Sequence, residues 1–434
     1  MNKIGIRIED KYKLERRCPI IPEHAKLLNK EHGIEFIVQS SEKRIFSDKE
    51  FLEQGATITK DTPDSRLIIG IKEMPLDIFE EGKTYMFFSH TIKGQPYNMA
   101  ELKRMVEKKI NLIDYEKIRN KDGKRTIFFG RFAGLAGMIN SLWSLGQKLR
   151  SEGIDNPFTM LKQARYYNSL DEALNTLQLI KNDIITNGLP DKITPLVIGI
   201  TGYGHVGKGV VEILENLPII KLEPEELHEL ENTNYSRNNI YISIFKENNL
   251  VEPSDNSKEF VLQDYYDNPQ NYNNKFPPYI KKLSVLVTSM YWDNRYPRLI
   301  THQFLKDNYN KNFKLKCVGD ITCDPGGSIE ITHKCTTIEA PVFTFDPLSG
   351  NYADGFDENG ITVLAVDILP SELPRESSIE FSNALLDYIP SLVNCDFDKK
   401  YEELNLHPEI KQGLILHKGE FTPEFKYMKK FIEN

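Results

Sequence analysis

The sequence predicts an α/β protein built on doubly wound, mostly parallel sheets. Two observations carry this. In the first third, short apolar runs alternate with longer amphipathic ones, the trace left by parallel strands joined through crossover helices. In the middle, the apolar run 196–201 meets a glycine-spaced turn, Gly202-Tyr203-Gly204-His205-Val206-Gly207. That turn opens an amphipathic stretch carrying Val210, Val211, Ile213 and Leu214. A chain of 434 residues has room for about two to three domains.

The elements follow in order. Strands are expected at 4–8, 34–38, 67–71, 85–89 and 110–113, with helices at 22–29, 48–54 and around Met99, Leu102, Met105 and Val106. A further strand is expected at 126–129. Ala136, Met138, Ile139, Leu142, Trp143 and Leu145 have helical spacing. Ser169, with Glu172 three residues on, reads as the cap of a helix that ends at Gly188-Leu189-Pro190. The glycine turn comes next. Residues 223–278 are rich in Asn, Asp and Tyr, too long for a loop, and read as a polar insertion with short elements of its own. Strands resume at 283–288, 316–319 and 361–366. From Pro374 onward, Phe381, Leu385, Leu386, Ile389 and Leu392 mark helices.

Composition excludes several classes. Hydrophobic residues make up 40% and charged residues 27%, ordinary globular values. A net charge of −8 argues against a nucleic-acid partner, which needs a basic face. No run is apolar enough to predict a transmembrane helix, and Met1-Asn2-Lys3-Ile4-Gly5 enters a strand without an apolar leader. Five cysteines without paired spacing suit a reduced, cytoplasmic protein. Cys323, His333 and Cys335 fit no zinc spacing, so no metal is expected. Nothing in the sequence sets an oligomeric state.

A strand, a glycine turn and a helix in that order form a dinucleotide pyrophosphate site. Gly202 permits the tight turn, Gly204 admits the phosphates, and Gly207 lets helix and strand pack closely. His205 and Val206 stand in the first turn of the helix, whose exposed N–H groups and positive dipole end face the anion. Glu223 lies about twenty positions past the first glycine, where an acidic residue meets the ribose 2′-hydroxyl of NAD. It equally suits the first turn of a helix at 224–230, and Lys221, Arg237 or Lys246 could reach the same place. NAD is favoured over NADP. Asp320, after the strand 316–319, is placed to reach the nicotinamide side, although Asp-Pro-Gly turns also form for their own reasons.

Three successive strands of the first third end in ionisable residues: Lys72-Glu73, His90, and Asp114-Tyr115-Glu116. Ligands sit outside the carboxyl ends of strands in such sheets, so Lys72, His90 and Glu116 are expected to converge. A lysine, a histidine and carboxylates in one crevice can divide proton-transfer duties. Each is also what a strand leaving a core presents to water. Arg17 and Arg125 are candidates to grip a carboxylate, or are solvated surface charges.

These residues resemble the lysine–2-oxoglutarate reductase, or lysine-forming saccharopine dehydrogenase, family, whose broader relatives are alanine dehydrogenase and the transhydrogenase nucleotide-binding subunit. Nearly the whole chain carries the likeness. It runs through Glu15-Arg16-Arg17-Cys18-Pro19, Ser89-His90-Thr91-Ile92-Lys93, Asp114-Tyr115-Glu116-Lys117 and Ala133-Gly134-Leu135-Ala136-Gly137 to Gly319-Asp320-Ile321-Thr322 and Leu369-Pro370-Ser371-Glu372-Leu373-Pro374. It is strongest to the reductase half of the bifunctional aminoadipic semialdehyde synthase.

The resemblance implies two doubly wound Rossmann-like domains with a cleft between them. Residues 1–135 with 375–434 would form a catalytic domain, and 136–374 the dinucleotide domain. It also implies Lys72 and His90 as the acid/base pair, Glu73 and Glu116 as tuning groups, and Arg17 and Arg125 as holders of substrate carboxylates. The implied reaction joins lysine and 2-oxoglutarate into saccharopine, by imine formation and hydride transfer. The bifunctional half, usually NADP-linked, has a basic pair where this chain has Leu250-Val251-Glu252-Pro253, which again favours NAD. Alanine dehydrogenase or another amino-acid dehydrogenase, and a non-catalytic nucleotide-binding regulator, are the alternatives.

Overall fold

A computed structural model describes residues 2–230, 235–310 and 312–433. The chain divides into two compact units, 1–129 with 374–434, and 130–373. The long helix Gly130–Ser151 starts at the division. Its first turn therefore lies wholly in the second unit, where the sequence expectation had put residues 130–135 in the first.

The first unit is built on an eight-stranded sheet. From one edge the strands run Glu420–Phe421, Leu414–His417, Asn111–Asp114, Thr84–Phe87, Leu67–Ile69, Lys3–Ile6, Glu35–Gln39 and Thr57–Thr59. The six from Asn111–Asp114 to Thr57–Thr59 are parallel, and the two C-terminal strands add to the edge antiparallel. Leu67–Ile69, Thr84–Phe87 and Asn111–Asp114 are buried at every position. That is why none of them shows the strict apolar–polar alternation of a half-exposed strand. Helix Pro22–His32 begins on a proline and ends at Gly33, whose φ of 63° only glycine adopts at no cost. Ser47 and Glu50 form a capping box at helix Asp48–Glu53. Helix Pro374–Leu385 returns to this unit, and Ser378 and Ser382 accept the amides of Cys18 and Ile21 at 3.0 and 3.1 Å.

The second unit holds the other eight-stranded sheet, in the order Tyr352–Asp354, Val342–Phe345, Ile361–Leu364, Cys317–Asp320, Val285–Thr288, Leu196–Thr201, Ile240–Phe245 and Ile219–Lys221. Gly130–Ser151 lies against helix His205–Leu214. Glycines set how close: a Cβ on Gly134 would stand 2.1 Å from the Val206 carbonyl, and one on Gly209 2.2 Å from that of Arg131. Ser169 caps helix Leu170–Asn187 as expected, accepting the Glu172 amide at 3.3 Å, but the Glu172 carboxylate turns to the Asn168 amide instead.

Three expectations need correction. Residues 126–129 form no strand; Arg125 pairs in an isolated bridge with Arg119, and the chain bends into the long helix. The helix expected at 224–230 is a 3₁₀ turn, Pro224–His228. Within the supposed insertion 223–278, Ile240–Phe245 is a strand beside Leu196–Thr201. Its six residues are buried or nearly so, and the Asn- and Tyr-rich flanks hid the run. Residues 231–234 of that stretch lie outside the described residues.

Candidate active site

In the first unit the three expected side chains leave neighbouring strands at their carboxyl ends. Asp114 fixes the arrangement. It is wholly buried, and one oxygen accepts the Ser89 amide at 3.0 Å and the Ser89 hydroxyl at 2.5 Å. The other accepts the Glu116 amide at 2.7 Å, so one carboxylate ties the His90 turn to the Glu116 turn. His90 itself has φ +50°, and Asn98 holds it there by donating to the Ser89 and His90 carbonyls, both at 3.2 Å. A non-glycine residue kept in the left-handed region by its surroundings is a mark of a functional turn.

His90 Nδ1 donates to Glu73 Oε1 at 2.8 Å, which leaves Nε2 to exchange protons. The same oxygen takes Lys11 Nζ at 2.5 Å. Burial raises the Glu73 carboxyl, but the hydrogen bond and charge of His90, with Lys11, outweigh it and hold the group at about 2. Lys72 is placed through its backbone. Glu9, buried at the end of the first strand, accepts the Ile71 amide at 2.6 Å and the Lys72 amide at 2.9 Å. Lys72 Nζ lies 5.6 Å from the centre of the Tyr12 ring.

The two arginines differ. Arg17 is buried and turns its fork onto Glu15, at 2.8 and 2.6 Å, with Phe129 4.0 Å beneath its guanidinium. Arg125 has a buried Nε with no partner, and its guanidinium stands 6.0 Å from the Phe88 ring. Burial lowers its proton affinity, and the charges of Glu116 and Asp114 oppose that. Of the two, Arg125 keeps donor capacity for a ligand.

In the second unit the glycine turn fits a dinucleotide. Gly202 has φ +98°, and a Cβ there would stand 2.9 Å from the Ser289 carbonyl. A Cβ on Gly207 would stand 2.3 Å from the Gly202 carbonyl. Gly204, by contrast, has nothing within 4 Å of its would-be Cβ, so protein packing does not explain it, and the space beside it is open. His205 and Val206 open helix His205–Leu214, and the Lys208 amide closes its first turn on the Gly204 carbonyl at 2.9 Å.

Two expected residues stand elsewhere. Asp320 is buried and points inward: it accepts Thr288 Oγ1 at 2.7 Å, Thr322 Oγ1 at 2.5 Å, the Cys323 amide at 3.2 Å and Thr332 Oγ1 at 2.7 Å. Its carboxylate shapes the loop rather than reaching for a ligand. Glu223 is exposed beyond Ile219–Lys221, the edge strand, and its amide bonds the Glu226 carboxylate at 2.7 Å. On the side of that edge strand, the glycine-turn strand is flanked by Ile240–Phe245, which ends at Lys246-Glu247. Glu247 accepts the hydroxyls of Tyr203, in the glycine turn, at 3.1 Å and of Tyr266 at 2.8 Å. Counting from the first glycine finds the edge strand; strand order finds Glu247. Sequence reasoning also passed over Glu9 and Lys11, although both follow the end of the first strand, the same signal that singled out Lys72 and His90.

Comparison with known proteins bears on the family and the fold. Residues 5–136 match the alanine dehydrogenase/PNT N-terminal domain, and residues 229–424 the alanine dehydrogenase/PNT C-terminal domain. The chain belongs to the alanine dehydrogenase/PNT family. Among curated relatives, alpha-aminoadipic semialdehyde synthase of Arabidopsis thaliana is 37% identical over 98% of this chain and 41% of its own length. The mitochondrial alpha-aminoadipic semialdehyde synthase of Mus musculus is 32% identical over 99% of this chain and 48% of its own. The chain thus spans less than half the length of these two relatives. Saccharopine dehydrogenase (NAD(+), L-lysine-forming) of Emericella nidulans is 28% identical over 90% of this chain and 92% of that protein. Among solved structures, an L-alanine dehydrogenase has the same fold, with a TM-score of 0.65 at 15% identity over 99% of both chains. The transhydrogenase of Sinorhizobium meliloti follows at a TM-score of 0.56 and 14% identity, over 97% of this chain and 100% of that one. The resemblance drawn from the sequence motifs therefore names the right family and fold.

Proposed function

We propose that this chain interconverts L-lysine plus 2-oxoglutarate with saccharopine, using a nicotinamide cofactor. One observation carries the reading: His90, Glu73 and Lys72 stand at the carboxyl ends of adjacent parallel strands, in a chain similar over most of its length to a lysine-forming saccharopine dehydrogenase.

The lysine amine attacks the 2-oxo carbon, the carbinolamine loses water, and the imine carbon is reduced. When bound, the cofactor supplies or removes the hydride. The protein moves the protons. Glu73 fixes His90 with Nδ1 protonated, so Nε2 can take a proton from the amine and return one to the leaving hydroxyl. Lys72 is the second proton carrier, held through its amide by Glu9. Arg125 binds a substrate carboxylate, while Arg17, already forked onto Glu15, braces the wall.

The glycine turn Gly202 to Gly207 would hold the pyrophosphate, and Glu247 the adenosine ribose. A carboxylate there repels a 2′-phosphate, so NAD is the preferred cofactor. Among the described residues no helix is long and apolar enough to cross a membrane. All five cysteines are free thiols, which suits the reducing, cytoplasmic setting we infer.

The test is a steady-state assay of NADH and NADPH oxidation with lysine and 2-oxoglutarate, against ammonia with pyruvate or 2-oxoglutarate. Lysine-dependent oxidation of NADH is expected. Oxidation with ammonia but not lysine would replace this reading with an alanine dehydrogenase-type reaction. Cofactor binding without turnover on any of these would leave a nucleotide-binding regulator.

A further inference from the structure

A groove of about 650 Å³ opens in the first unit beside the His90–Glu73 pair, with Glu73, Glu101, Lys11, Asp10 and Asn98 as polar groups and apolar walls that include Met74. Glu73 is 8% exposed, and only one of its oxygens is engaged. Oε1 takes both His90 and Lys11, whereas Oε2 is buried without a hydrogen-bond partner. Glu101, 5% exposed on helix Pro96–Glu107, gives one oxygen to the Met74 amide at 3.0 Å. The Lys11 ammonium sits on Glu73 with the Tyr97 ring 5.9 Å and the Tyr12 ring 5.6 Å from it. A carboxylate flanked by aromatic faces is the chemistry that recognises an ammonium ion.

We propose that this groove is the subsite for the non-reacting ammonium group of an amino-acid substrate, and that Lys11 occupies it as a built-in competitor. The inference rests on the lysine-dependent reaction proposed above. A carboxylate and ring faces stabilise the charged form of an amine and so blunt its nucleophilicity. The subsite therefore suits the α-ammonium of lysine, which stays charged, and not the ε-amine, which must attack as the free base. Lys11 is one-third exposed and can swing out as the ligand enters. Glu101 adds a signature. Burial, with the charges of Glu73 and Asp114, pushes its carboxyl up to about 8 against the pull of Lys11, so a ligand cation seated nearer to it than Lys11 expels its proton.

L-Norleucine and hexanoate share a carbon chain and a carboxylate and differ in the α-ammonium. Titration calorimetry of the full chain with each compound tests the subsite without requiring turnover. Norleucine is expected to bind more tightly than hexanoate and to release protons near pH 7.5. Lys11→Met should tighten norleucine about fivefold, the scale of one partly exposed ion pair, and leave hexanoate unchanged. Glu101→Gln should weaken norleucine by a similar factor and remove the proton release. Equal shifts for the two compounds, no shift in either, or no norleucine binding at all would overturn the subsite. Norleucine discrimination in a chain that shows no lysine-dependent oxidation of NADH would overturn the reaction and leave the subsite standing.

Discussion

The two units share a plan and differ in what they place at the ends of their strands. Each has an eight-stranded, mostly parallel sheet with its candidate residues just past the carboxyl ends. In the first unit those ends carry a lysine, a histidine and carboxylates, and some of their polar capacity is unspent: Glu73 Oε2 and Arg125 Nε are buried without partners. In the second unit the ends carry glycines, hydroxyls and Glu247, and Asp320 is saturated by four hydrogen bonds, one from Thr288 on the next strand and three from its own loop. That is the difference the proposed function requires: a unit that moves protons must keep titrating groups underemployed, and a unit that cradles a ligand needs backbone in the right place and side chains that hold it still.

That contrast can be broken most sharply at its reactive end. Lys72→Met and His90→Gln should each lower kcat by about 10²- to 10⁴-fold. NADH affinity, read by nicotinamide fluorescence, should stay unchanged. A parallel loss of NADH affinity would erase the division of labour. Arg125→Ala should raise the Michaelis constant for 2-oxoglutarate by about 10- to 100-fold, the size of a lost charge-assisted pair. An unchanged value would return Arg125 to a structural role. On the cradling side, Glu247→Gln should shift the NADPH-to-NADH ratio of kcat/KM upward by about tenfold, and Glu223→Gln should leave it alone. The opposite result would restore the residue that spacing alone selects.

The smallest expected effect concerns stability. Burial pushes Glu9 up to about 7 and Glu101 up to about 8 in the first unit. A carboxyl whose folded value lies above its unfolded one supports folding at low pH, and that support drains away as pH climbs through the folded value. Glu73, held at about 2, acts only below the usual carboxylate range and does not enter this window. The melting temperature should therefore fall by about 2–4 °C between pH 5.5 and 8.5, and Glu101→Gln should flatten the slope. A melting temperature that rises across that range would mean these carboxyls are ionised without penalty.

Much of this was legible in residue order because parallel, fully buried strands lack strict apolar–polar alternation. Leu67–Ile69, Thr84–Phe87, Asn111–Asp114 and Leu196–Thr201 stand out for that reason, and the residues after them mark the sites. What failed was long-range. Nothing local says that Ile240–Phe245 slips between Leu196–Thr201 and Ile219–Lys221, so counting from the first glycine leads to the edge strand. Asp320 was read as facing a ligand because the four donors that claim it lie on different segments. Glu9 and Lys11 were missed although they obey the rule applied elsewhere, since both follow the first strand, Lys3–Ile6, within a few residues.

The return of the C-terminal segment to the first sheet has a consequence for how the molecule is made. Leu414–His417 pairs with Asn111–Asp114, and Ser378 and Ser382 grip the amides of Cys18 and Ile21. A ribosome working at about 5–20 residues per second will therefore finish the second unit first. The first unit must wait, its edge unpaired, until the last segment emerges. Nascent chains should be most vulnerable to proteases and to one another in that interval.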